Sequence, residues 1–390
     1  MNILYLMTEP FGIGGVQSDV LTLTEDLTAK GHRVYVATTE GVLLQELIGK
    51  GAIHVDIDFH FSGVAQFFRA LRQLRQVVAR EGIELVAPQS VRSSMVAYAA
   101  LRLTPYGYRV AATSRRVPII TTIHNIHNPK NFKWAGRILR QCADFVIFES
   151  HYERNRLLAH GLPAEQSVVI HSGIDLDRFA TAKRSAEFAQ RYGLEPGRHL
   201  VFGIVARLSE EKGHNYLVEA FARVVRQTPE ARLLIVGDGP LLEQTQAQVA
   251  RLGLQNQVIF AGMQRDIPSH LALIDVFVLS STRESFPLSA REAMAAGRCV
   301  IAPRIGGCGE VVEDGVTGLL FTAADVDDLA AKMLQLTNRA TVSAMAAAGR
   351  RRAERLFSRQ VWVEGDERVY LQWAGLAPRA APPAVMSRAR

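Results

Sequence analysis

Two glutamates eight residues apart, Glu284 and Glu292, stand in a run that also holds Phe286, Pro287, Leu288 and Ser289. Carboxylates accept hydrogen bonds from hydroxyls, so two at this spacing can hold two parts of one hydroxyl-rich ligand. Proline suits the start of a helix, which leaves the amides of Leu288 and Ser289 free to donate to an anion. Upstream, Arg207 and Lys212 follow an apolar run and lie five residues apart. A guanidinium and an ammonium so placed suit a diphosphate, although two solvated surface cations would look the same. Near the amino terminus, Gly14 and Gly15 stand between an apolar run and a helical pattern. There the backbone can approach a ligand closely and the helix end attracts anions, as a plain tight turn would also require. Val16, Gln17 and Ser18 follow, so the glycine fingerprint of dinucleotide binding is incomplete. His124 closes another apolar run, as either a functional group or a satisfied core histidine. His127 suggests a metal pair, but no third ligand is apparent and no metal is expected.

These groups need rigid elements beneath them. Short β-branched runs at 3–7, 33–38, 85–87, 119–123 and 145–148 read as buried parallel strands. Helical patterns at 18–30, 64–80, 95–103 and 134–142 alternate with them. The alternation restarts after a polar interval, with strands expected at 199–206, 232–236, 258–261, 276–279 and 299–303. Two such series imply two doubly wound α/β domains, with ligands beyond the carboxyl ends of the strands in a central cleft. The expected division is 1–178, a linker at 179–198, a second domain at 199–358, a helix at 359–377 that crosses back to the first, and a disordered tail at 378–390.

A chain of 390 residues with 48% hydrophobic residues is neither disordered nor too short for two cores. No apolar run is long enough to span a bilayer, and the start reads as a strand rather than a signal peptide. Three unpaired cysteines point to the cytoplasm as the default compartment. The net charge is +7, yet thirteen basic residues face only two acids between 61 and 140. Phe67, Phe68, Leu71, Leu74, Val77 and Val78 form an apolar stripe on 64–80, interleaved with Arg69, Arg72 and Arg75. This is an ordinary surface helix or a basic patch that lies on an anionic membrane; 130–140, with Trp134, is a second candidate. No nucleic-acid-binding module is visible to focus the charge.

The sequence resembles the retaining GT-B glycosyltransferases of family 4. The matching residues are Gly14-Gly15, Thr122 to Asn125, His171 to Asp175, Arg207 with Lys212-Gly213, Leu234 to Pro240, Glu284 with Glu292 to Gly297, and Gly306-Gly307 with Glu310. The resemblance implies a GT-B fold and transfer of a hexose-type sugar from a nucleotide-diphospho-sugar to a lipid-linked or polysaccharide acceptor. It casts His124, Arg207, Lys212 and Glu284 as catalytic groups. Gly14, Gly15, Gly262, Met263, Phe286, Pro287, Leu288, Ser289 and Glu292 would complete the donor site, and Gln17, His124 and Asn125 would face the acceptor. Cofactor and metal are expected to be absent. Gln89 and Ser90 replace the histidine-containing strand end common in the family. A GT-B sugar-nucleotide epimerase and a non-catalytic scaffold for polysaccharide assembly are the alternatives.

Overall fold

The computed structural model describes residues 1–12, 14–59, 63–103, 116–126, 132–180, 185–195 and 197–377. His127 and the expected tail at 378–390 lie outside them. The chain divides into two compact units, one comprising 1–172 with the segment from 360 onward, the other 173–359.

In the first unit, four parallel strands run in the order β3 (Ile53–Asp56), β2 (Arg33–Thr38), β1 (Asn2–Leu6), β4 (Leu85–Pro88). Three more follow as β5 (Ile120–Ile123), β6 (Phe145–Phe148) and β7 (Ser167–Val169). A parallel bridge between Val86 and Ile119 joins the two sheets edge to edge. The inner strands are largely apolar because helices cover both faces. One layer packs Leu4, Leu6 and Val86 against Leu71, Leu74 and Val78 of the helix Val64–Arg80. The other packs Ile3, Tyr5 and Val36 against Val20 and Leu27 of the helix Gly15–Ala29. The carboxyl-terminal helix Arg359–Ala374 supplies Trp362, Val363, Val369 and Tyr370 to that second layer.

The second unit is a six-stranded parallel sheet. Its order is β10 (Val258–Gly262), β9 (Ala231–Val236), β8 (Leu200–Val205), β11 (Val276–Val278), β12 (Cys299–Pro303), β13 (Gly318–Phe321). The order reverses direction between β8 and β11, the kind of point at which loops diverge and ligands bind. From the interval 179–198, expected as a linker, Phe179, Ala189 and Leu194 belong to this unit's core. The short helix Ala186–Gln190 is capped by the Ser185 hydroxyl.

Strands β3, β7 and β13 were not expected from the sequence. Each is an edge strand of three or four residues. Too short to show a period, they are held by one neighbour. Among the described residues, no helix is long and apolar enough to cross a membrane.

Candidate active site

In the second unit, β8 and β11 are neighbours, so the loops leaving their carboxyl ends meet. The Ser280 hydroxyl donates to the Lys212 carbonyl at 2.8 Å, and the Thr282 amide donates to the Glu211 carbonyl at 2.8 Å. Between these ties the chain turns through Gly213 at φ +64°, where a Cβ would strike the Ser280 carbonyl. The result is an ion pair of 2.7 Å between Lys212 Nζ and Glu284 Oε1, with Glu284 largely shielded from solvent. Arg207 is exposed, two residues beyond β8. Amide bonds from Leu208 to the Asp238 carbonyl and from Leu241 to the Leu208 carbonyl, both 3.0 Å, fix the loop that carries it.

Pro287 caps the helix Leu288–Ala295, with Leu288 and Ser289 in its first turn and Glu292 one turn in. Phe286 is buried against Phe357, and the Arg291 guanidinium lies over its ring. Glu292 has no hydrogen-bond partner among the described residues. Burial raises its pKa to about 7, against the opposing pull of Arg291 and Arg178. A desolvated carboxylate lacking donors is a receptor for ligand hydroxyls. At the end of β10, Gly262 takes φ +68° and Met263 projects into solvent.

In the first unit, a pocket of about 250 Å³ opens at the carboxyl ends of β1, β4 and β5. Gln17, Gln89, Ser90, His124 and Asn125 line it with Met7. Gly14 and Gly15 start the helix that brings in Gln17, and both glycines are exposed. Ser90 forms a reciprocal capping box with Ser93, and the Gln89 amide donates to the Leu6 carbonyl at 3.1 Å. These bonds fix the pocket wall. Ile123 and Phe148 are register partners in the parallel pair β5–β6, which sets the following residues, His124 and Glu149, side by side.

His124 is almost fully buried and ringed by polar groups. Its Nδ1 lies 2.6 Å from Glu149 Oε1 and 3.3 Å from Asp19 Oδ2, and its Nε2 lies 2.9 Å from Gln89 Oε1. Burial opposes a charge on the ring, but the two carboxylates outweigh it and raise the pKa to about 10. Close by, the fully buried Asp366 has neither oxygen in a well-formed hydrogen bond, the Trp362 indole being its weak partner. Burial, then the Glu149 charge, hold its pKa well above the usual carboxylate range. The ligand atoms of Asp19, His124 and Glu149 are near enough to surround a cation. Nδ1 and Glu149 Oε1, 2.6 Å apart, are also within hydrogen-bond distance of each other.

The structure thus gathers Lys212, Glu284, Glu292 and residues 286–289 at one sheet edge, with Arg207, Gly262 and Met263 on loops of the same edge. Gln17, His124 and Asn125 line the pocket of the first unit, where Gly14 and Gly15 also lie. Asp19, Gln89, Glu149 and Asp366 escaped the sequence as His124's surroundings. Of these, only Gln89 carried a signal, as the departure at the end of β4.

Two parallel-sheet units of this order define the GT-B fold. The structure superposes on a Rickettsia africae glycosyltransferase with a TM-score of 0.81 at 20% identity, over 96% of this chain and 99% of that one. Anabaena HepE in complex with UDP and glucose matches with a TM-score of 0.77 at 22% identity, over 95% and 99%. The chain belongs to glycosyltransferase family 4: residues 13–178 match "Glycosyltransferase Family 4" and residues 186–352 match "Glycosyl transferases group 1". The GDP-mannose-dependent alpha-(1-6)-phosphatidylinositol monomannoside mannosyltransferase of Mycolicibacterium smegmatis is 34% identical over 227 residues. That match spans 55% of this chain and 59% of the mycobacterial protein. The 2-deoxystreptamine glucosyltransferase of Streptomyces kanamyceticus is 31% identical over 260 residues, 64% of this chain and 67% of that protein.

Proposed function

We propose that the protein is a retaining, metal-independent hexosyltransferase that moves a sugar from a nucleotide-diphospho-sugar to a hydroxyl acceptor. The observation that carries this reading is the grouping at one sheet edge of the Lys212–Glu284 pair, the unpartnered Glu292 carboxylate and the free helix amides after Pro287. Arg207 and Lys212 bind the diphosphate, Glu292 the ribose hydroxyls, and Glu284 the hydroxyls of the transferred sugar. Backbone at Gly262 and Met263 holds the base, Gly14 and Gly15 lie against the phosphates, and His124 faces the sugar.

As the bond from the anomeric carbon to the phosphate oxygen breaks, its electron pair passes to the diphosphate. Arg207, Lys212 and the helix end stabilise the growing charge. The acceptor oxygen bonds to the same face of the sugar, and its proton passes to the departing phosphate oxygen, so configuration is retained.

Among Met7, Val16, Val91 and Ile123, the pocket offers the amides of Gln17, Gln89 and Asn125 and the Ser90 hydroxyl, groups that suit a hydroxyl-rich acceptor. The mycobacterial relative is named for a phosphatidylinositol acceptor. A lipid-linked or polysaccharide acceptor, in bacterial surface polysaccharide, lipopolysaccharide or glycolipid synthesis, agrees with both. So does peripheral attachment to the cytoplasmic face of the membrane.

UDP-, GDP- and ADP-sugars, tested for hydrolysis and thermal stabilisation, form the deciding panel. The true donor at 100 times its dissociation constant stabilises the fold by about 2.7 kcal/mol. Arg207→Ala and Glu284→Ala are expected to stay folded and lose about 10²–10³ in turnover. A panel with no stabilising donor, or near-normal turnover in both variants, overturns the reading. A donor isomerised without transfer marks an epimerase instead.

A further inference from the structure

The groups around His124 fix more than its position. We infer that Glu149 and Asp19 are positioning residues which hold His124 as a ring donating from both nitrogens, so that its Nε2–H locks Gln89 in the pocket wall and the ring does not act as a base. The role in transfer rests on the function proposed above; the state of the ring does not.

Three contacts force the arrangement. Glu149 Oε1 at 2.6 Å takes the Nδ1 proton, with Asp19 Oδ2 as a second acceptor at 3.3 Å. The other nitrogen meets Gln89 Oε1 at 2.9 Å, and the Gln89 side-chain nitrogen donates to the Ala87 carbonyl at 3.0 Å. That second bond fixes which end of the Gln89 amide is oxygen, because only nitrogen can donate to a carbonyl. An amide oxygen facing Nε2 then requires a proton on Nε2. With Glu149 ionised, Nδ1 must carry a proton as well, and the ring is then an imidazolium with no lone pair to act as a base. The remaining hydrogen of the Gln89 nitrogen is left for the pocket or for solvent.

Every element packed on the ring agrees on charge. The helix Gly15–Ala29 contributes Asp19, the loop after β6 contributes Glu149, and the loop after β4 contributes the neutral Gln89. The helix Arg359–Ala374 contributes Asp366, whose pKa burial and the Glu149 charge hold well above the usual carboxylate range. The Tyr5 and Tyr370 hydroxyls lie 3.4 Å apart, and burial holds both rings neutral. Among the described residues, Glu149 and Asp19 are the carboxylates held against the ring, and they raise its pKa to about 10.

The test follows the His124 ring by nitrogen NMR in the full chain labelled at histidine, alongside the pH dependence of sugar transfer. Wild-type His124 is expected to show two protonated nitrogens at pH 8, with no basic limb in the rate profile below pH 9 that is assignable to it. Glu149→Gln removes the charge while keeping the size, so the ring should become neutral about two or more pH units earlier. Activity should then fall as pH rises through that new value, with kcat affected more than donor KM. Asp19→Asn, nearer the surface, should shift both in the same direction by less, and Glu149→Asp should restore part of the loss. A wild-type ring that is neutral at pH 8 overturns the inference, as does an unshifted ring in Glu149→Gln. A shifted ring with an unchanged rate profile overturns the positioning role. If His124 titrates as described but no donor yields transfer, the proposed function falls and the charge network stands.

Discussion

An acid that resists ionisation until about pH 7 weakens its own fold at higher pH. Glu292 is such an acid, and the sign follows from linkage. Between the ordinary carboxylate pKa of 4.5 and about 7, the folded state holds a proton that the unfolded chain has lost, so stability falls as pH rises through that window. Each unit is about 1.4 kcal/mol, and partial exposure of the side chain trims the whole effect to about 1–2 kcal/mol. Glutamine mimics the protonated form. Glu292→Gln is therefore expected to raise the melting temperature at pH 8, to leave it unchanged below pH 4.5, and to weaken donor binding at every pH. Calorimetry with and without nucleotide-sugar checks all three; a variant no more stable than wild type at pH 8 refutes the desolvation argument. Glu284, Glu292, Arg207 and Lys212 could be singled out as candidates in the sequence because they lie in one run and one short loop. The partners of His124 were not. Asp19, Glu149 and Asp366 come from three distant stretches, and only the strand register and the returning helix bring them to one ring.

At the scale of elements, the loops that carry Lys212 and Glu284 are held in place by turns that only glycine makes cheaply. Gly306 sits at φ +53°, and a Cβ there would run into the carbonyl of Glu284. The next amide, of Gly307, donates to the Ser285 carbonyl at 2.7 Å, so this turn braces the strand end that carries Glu284. Gly306→Ala combines left-handed strain with a clash against backbone that cannot swing aside. It should cost about 1–3 kcal/mol of stability and displace Glu284. Gly315 provides the control: its φ is +77°, but a Cβ would meet nothing within 4 Å. Gly315→Ala should lose stability and keep donor affinity, whereas Gly306→Ala should lose both, affinity by about tenfold for each 1.4 kcal/mol. Equal affinity in the two variants would show that the brace does not reach Glu284. The inner strands and the helix Val64–Arg80 were readable because apolar runs and a helical period survive over several residues. Strand β3, with the sequence Ile-His-Val-Asp, carries a charge at its end and leans on one neighbour, so only its place beside β2 makes it a strand.

At the scale of the whole molecule, the basic excess becomes a surface on the first unit. The helices Val64–Arg80 and Phe132–Cys142 both pack against Val91–Arg102. Their outward residues include Val64, Phe68, Met95 and Trp134, all exposed apolar groups, among exposed Arg69, Arg72, Lys133, Arg137 and Arg140. Arg75 is withdrawn from that face, because its guanidinium donates to the Ala100 carbonyl at 2.7 Å. Aromatic side chains on a cationic face match an anionic bilayer: each arginine near the surface is worth about 1 kcal/mol, and the rings enter the headgroup layer. The attraction is screened within about 10 Å at 0.1 M salt. The full chain is accordingly expected to co-sediment with phosphatidylglycerol-rich vesicles at low salt, to leave them at high salt, and to ignore pure phosphatidylcholine. Phe68→Ser with Trp134→Ser should weaken binding while retaining its salt dependence. Arg69→Glu with Arg137→Glu should abolish binding, yet leave turnover on a soluble acceptor unchanged, because none of these residues lines either ligand-binding edge. Vesicle binding unaffected by the charge reversals would place any membrane contact elsewhere. No binding by the wild-type chain would remove the membrane from the account and leave sugar transfer to be decided by the donor panel alone.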